Sequence, residues 1–167
     1  LKYFFEGRRE LFAGLWVDRE ADHDWAVHPV LHISFSEIDY QQLGLHQALL
    51  GAVNEAAASH GITLTQPTLA LRFRELIHTL GAGPQKMVLL IDEYDKPLTD
   101  YFDDLPQAEQ NRKTLKNFFS ILKNADSYLR LFLITGVSKF SKVSLFSDLN
   151  HLVDITRIAQ HATLTGY

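Results

Sequence analysis

The amino-acid sequence predicts an α/β fold, a parallel sheet flanked by helices, and three observations carry that prediction. Residues 87–91 form an unbroken apolar run that ends in Asp92 and Glu93, and a second run, 129–134, is interrupted only by Arg130. A strand covered on both faces has no polar side, so continuous Val, Leu and Ile mark a parallel sheet held between helix layers. The segments before and between the two runs place apolar residues at helical spacing, as crossover helices require. The 167 residues, 46% hydrophobic and 22% charged, suit one globular domain with a sizeable core. Sixteen basic residues against twenty acidic ones give a net charge of −4, so no global field draws the chain to nucleic acid or to an anionic membrane. The absence of cysteine excludes disulfides and thiolate metal sites and is compatible with a reducing cytoplasm. No apolar run approaches the ~18 to 20 residues that span a bilayer.

In chain order, Leu1, Phe4, Phe5, Leu11, Phe12, Leu15 and Trp16 recur at roughly helical spacing, and Gly7 and Gly14 divide them into two short helical pieces. No capping residue precedes Leu1, so the chain is expected to open inside a helix, as a cut N-terminus would. Residues 30–35 alternate as a strand nearer the sheet edge. His28 and His32 lack a third ligand at metal spacing, which favours a structural role for both. A helix follows with Leu45, Leu49, Ala52, Val53, Ala56 and Ala57 on one inward stripe and Gly61 as its left-handed cap. A second helix, 68–80, turns Leu69, Phe73, Leu76, Ile77 and Leu80 inward, with Gly81 as its stop and Arg72, Arg74 and His78 on a solvated face. The loop 97–106 carries Tyr101 and Phe102, either as a lid beside the strand end or as a plug onto the body. A helix over 108–124 buries Leu115, Phe118, Phe119 and Leu122. After the second apolar run, residues 140–151 read as irregular and 152–155 as one more short strand.

The chemistry gathers where the two runs end. In open α/β sheets ligands bind beyond the carboxyl ends of the strands, where Asp92 and Glu93 stand. An apolar strand ending in Asp-Glu suits a site in which one acid lies on the Mg²⁺ side of a nucleoside triphosphate and the next acts on the attacking water. An ordinary polar strand exit fits the same letters. Two rival chemistries fail at Tyr94: an Asp-x-Asp phosphotransfer motif starting at Asp92 would need aspartate there as its third residue, and an acid-x-Lys nuclease motif ending at Lys96 would need an acid there as its first. The second run ends in Thr135, Gly136, Val137 and Ser138. If the two strands are parallel neighbours, Thr135 emerges beside Asp92 and Glu93, although hydroxyls also close strand ends routinely.

Strand, helices, acid-ended strand, helix and hydroxyl-ended strand occur in the order of the additional-strand class of P-loop NTPases. More closely, the chain resembles the predicted AAA-ATPase-like family of bacteria and archaea. The resemblance lies in residues 1–7 and 10–15, His28-Pro29-Val30, residues 88–97, 134–142 and 146–150, Asp154-Ile155-Thr156, and 164–167. It implies a three-layer P-loop-NTPase-like sheet, with ATP and Mg²⁺ as ligands and ATP hydrolysis as the activity. In that reading Asp92 is the acid on the metal side, Glu93 the general base, Thr135 the polar sensor, and Thr135 and Ser138 the hydroxyls beside the nucleotide. The family's phosphate-binding loop should precede the helix that opens at Leu1, and no G-x-x-x-x-G-K-[ST] occurs in the 167 residues. Residues 1–167 are therefore expected to be one partial domain truncated at both ends, without its first strand and loop. On its own it is expected to be inactive within a cytoplasmic parent ATPase that also carries a nuclease-like domain. The missing strand would lie between 129–134 and 152–155. Arg157 is a candidate charge donor, although a surface arginine fits that position better. A non-catalytic interaction module, or an accessory domain of a nuclease-like protein, are the alternatives. No membrane contact is expected, and no residue signals direct nucleic-acid binding.

Overall fold

The computed structural model describes residues 1–19, 24–137, 145, 152–156 and 158. Three strands, β1 (Val30–Ser34), β2 (Met87–Asp92) and β3 (Leu129–Ile134), form one sheet in the order β1-β2-β3, with both pairings parallel. β2 is central, as its uninterrupted apolar run predicts, and Met87 through Ile91 are buried. Its register sets Ser34 opposite Asp92 on one side and Ile134 opposite Ile91 on the other, so the three strand ends finish level.

Side chains alternate across the sheet. Leu31, Ile33, Leu89 and Ile91 face the main core with α4 (Leu45–Ser59), α5 (Leu69–Gly81) and α7 (Leu105–Ser120). Val30, Val88 and Leu90 face the other way, where Phe5 of the short α1 (Lys2–Phe5) packs on them. A helix pair closes the main core through the rings of Phe73 and Phe118, stacked 4.1 Å apart. α5 begins where Thr68 accepts a hydrogen bond from the Leu71 amide. α7 begins at Leu105, three residues earlier than the periodicity predicts, because Asp104 accepts from the Gln107 amide and Pro106 sits in the first turn, where its missing N–H is harmless. Its expected last turn, Ile121–Asn124, tightens into a 3₁₀ helix.

The N-terminal region holds α1, a 3₁₀ turn Arg9–Phe12 and α2 (Trp16–Arg19), one piece more than the two expected. Gly61 has φ +68, as a left-handed cap requires, but Gly81 does not end its helix in that way. It is the last residue of α5, and a Cβ there would stand 2.4 Å from the Tyr128 carbonyl oxygen, so the glycine serves close packing. Arg72 is not on a solvated face either: it donates to the Gln66 carbonyl at 2.7 Å and to Asn54 Oδ1 at 2.9 Å, stitching α5 to α4. His78 stacks on Tyr128. Residues 152–155 form no strand, and Val153 is exposed. Four residues without a neighbouring ladder among the described residues have nothing to hold them extended. None of the described helices is long and apolar enough to cross a membrane.

Candidate functional site

The level strand ends bring Asp92, Glu93 and Thr135 together. Thr135 N donates to the Ile91 carbonyl at 2.9 Å and the Thr135 carbonyl accepts from Tyr94 N at 3.0 Å, which carries the β2–β3 pairing past the last ladder residues. The Thr135 hydroxyl donates to Asp92 Oδ1 and accepts from Glu93 N at 3.3 Å, using both of its capacities on the acid pair. On the other flank Phe35 N donates to the Asp92 carbonyl at 3.0 Å, and the Ser36 hydroxyl donates to Glu93 Oε2. Both carboxylates are exposed, and among the described residues neither forms an ion pair with Lys or Arg. Two adjacent carboxylates with open solvent access can attract a cation and accept a proton.

Glu93 has φ +52, the left-handed region that residues with a Cβ rarely occupy. It turns the chain sharply out of β2, so that Tyr94 and Asp95 fold back under the sheet and are buried to 1% exposure. Ser36 and Asp95 are the neighbours that sequence reading misses. Ser36 lies 57 residues from Glu93 with no periodic signal to link them. Asp95 follows the acid pair two residues on, and nothing local in the sequence marks it as buried.

Beyond Ser36 lies an open cleft of about 310 Å³ lined by residues 35–41, which run into the short α3 (Tyr40–Leu43), and by Lys96 and Asp100. Tyr40 donates to Asp100 Oδ2 at 2.6 Å, and Lys96 and Gln41 each reach Asp100 at 3.3 Å. Burial, with the Asp100 carboxylate second, pushes the Tyr40 hydroxyl pKa well up. For Asp100 burial works upward, but the bonds from Tyr40, Lys96 and Gln41 outweigh it and hold the carboxyl below its usual range. Tyr101 packs against the core, the plug of the two readings of its loop, while Phe102 points outward. His28 bonds the Lys86 carbonyl through Nδ1 at 2.7 Å, a structural role. No group of three or more His, Cys, Asp or Glu side chains that could hold a metal ion occurs among the described residues. Ser138 and Arg157 lie outside the described residues.

A parallel α/β sheet flanked by helices, with an acidic pair leaving its central strand beside a hydroxyl from the next, defines the class of protein. The chain belongs to the family described as Predicted AAA-ATPase, which matches residues 1–146. It is 43% identical over 173 residues to an uncharacterized protein in the vnfD 5′ region of Azotobacter chroococcum mcd 1. That alignment covers all of this chain and 33% of the relative, so the chain spans about a third of the length of the curated protein it matches. No solved structure matches it.

Proposed function

We propose that this chain carries the hydrolytic half of an ATP-binding and ATP-hydrolysing site. One observation supports this most: Asp92, Glu93 and Thr135 leave adjacent parallel strands and are tied together by the Thr135 hydroxyl. The donor set fits magnesium bound with nucleotide. Mg²⁺ beside phosphates uses one or two carboxylates and keeps waters and phosphate oxygens as its other ligands, so a three-acid cage is not needed. Asp92 has one oxygen engaged by Thr135 and remains exposed, so it would hold the metal side; the bound ion would neutralise charge on the phosphates.

The chain's own groups do the rest. Glu93 accepts the proton of the attacking water, and the Ser36 hydroxyl fixes its carboxylate in orientation. Thr135 keeps Asp92 and the Glu93 backbone in register, so that the carboxylate that would hold the cation and the one that accepts the water's proton serve the same phosphate. Asp92 continues the face of Val88 and Leu90, on which α1 packs, and in the family the phosphate-binding loop leads into that helix. We read residues 1–167 as one partial domain whose loop is encoded upstream of Leu1.

Phosphate release and nucleotide binding by the full-length protein test the reading. Wild type should bind and hydrolyse Mg-ATP, and Glu93→Gln should bind it with turnover at least a hundredfold lower, since general-base contributions run at about 10² to 10⁴. Equal turnover in the two proteins would remove Glu93 as the base.

A further inference from the structure

We propose that Asp95 is a positioning residue: together with Gly136 it latches residues 135–137 onto the end of β2 and so holds the Thr135 hydroxyl against Asp92. The inference rests on the hydrolytic reading of that site and assigns a role to a buried acid which that reading leaves idle. A carboxylate at 1% exposure is costly unless its oxygens are engaged. Asp95 sits at the N-cap of α6 (Lys96–Thr99), where an aspartate ordinarily accepts from the first amides of its own helix. It makes no such bond. Its Oδ1 instead accepts from Val137 N at 3.3 Å, 42 residues away in sequence.

Among the described residues, backbone pairing between the two strand ends finishes at Tyr94 N and the Thr135 carbonyl, and the Asp95 side chain carries the connection on to Val137. Gly136 permits the approach. A Cβ there would lie 2.5 Å from Tyr94 Cε1 and 2.7 Å from Asp95 Oδ1, closer than real Cβ contacts come. Thr135 is thus held from both sides, by the ladder through its own amide and by the Asp95 carboxylate through Val137. Loss of the second hold frees the hydroxyl to leave Asp92, and a misplacement of about 1 Å in a catalytic group can cost about a hundredfold in rate.

The test uses full-length protein and two readouts. Amide hydrogen exchange without nucleotide reports the latch, and steady-state ATP hydrolysis reports its consequence. Asp95→Ala should raise exchange at Val137 at least tenfold while Val88 to Ile91 stay protected, and should lower kcat at least tenfold with KM changed less than twofold. Asp95→Asn keeps a side-chain oxygen acceptor and should restore both. Gly136→Ala, which pushes the segment away without emptying the buried carboxyl position, should reproduce the Asp95→Ala pattern and decides the matter if Asp95→Ala does not fold. Unchanged Val137 exchange, lost protection spreading through β2, an unchanged kcat despite faster exchange, or no rescue by asparagine each overturns the proposal. A wild type without turnover would instead sink the hydrolytic reading, and the exchange comparison would still decide whether the latch exists.

Discussion

Glu93 combines an exposed carboxylate with a backbone at φ +52, and the two features pull in opposite directions. The left-handed conformation costs a residue with a Cβ about 1 to 2 kcal/mol. Glycine escapes that cost but loses about 0.5 to 1 kcal/mol through its freer unfolded chain. Glu93→Gly is therefore expected to stabilise the fold by roughly 0.5 to 1 kcal/mol while abolishing turnover, a trade of activity for stability. Glu93→Gln retains the strain and should leave the urea midpoint unchanged. A lower midpoint for Glu93→Gly would show that the bond from Ser36 outweighs the strain. The acid pair and Thr135 are legible in the sequence because each ends an apolar run. Ser36, Asp95 and the positive φ are not, since they depend on which loop a sheet three strands wide brings alongside, and no local periodicity records that.

Helix α5 shows the same division at the next scale. Its inward stripe of Leu69, Phe73, Leu76, Ile77 and Leu80 follows from a 3.6-residue period, and all five are buried. What its C-terminal turn packs against does not follow, because the segment ending in Tyr128 arrives from a distant part of the chain. Gly81→Ala should gain about 1 kcal/mol in helix propensity. It also drives a methyl to within 2.4 Å of the Tyr128 carbonyl, and overpacking of this kind costs about 1 to 3 kcal/mol, so net destabilisation is expected in thermal unfolding. His78, one turn earlier, stacks 4.1 Å from the Tyr128 ring. Burial, reinforced by Arg74, holds its imidazole below the ordinary 6.5. The unfolded chain then binds the proton more readily, so this contribution is complete above pH 6.5 and is lost as pH falls through the depressed folded value. His78→Phe keeps the stack and should flatten the slope of stability against pH on the acid side of 6.5. An unchanged slope would place its origin in other groups.

At the scale of the whole molecule, β3 is, among the described residues, the sheet's outer strand on the side away from β1 and is only half-buried, whereas β2 is sealed on both sides. The expected order of the three strands and their parallel sense are as found, because all-apolar runs dictate a doubly covered sheet. The proposed strand beyond β3 would complete the ladder and deliver the phosphate-binding loop to the end where Asp92 and Glu93 stand. Residues 1–167 alone are therefore expected to show no measurable affinity for Mg-ATP by calorimetry. Two adjacent carboxylates face a polyanion, and without loop N–H groups and a lysine only the metal offsets their repulsion and the entropy of capturing a mobile ligand. A polypeptide extended upstream through the proposed strand and loop should bind at micromolar concentration, and the same extension should protect the β3 amides from hydrogen exchange by pairing the edge that no described residue covers. The two readouts are separable. Protection of β3 without ATP binding would support the architecture and remove the nucleotide site, while micromolar binding by residues 1–167 alone would mean that the phosphates are held elsewhere than at a loop preceding α1.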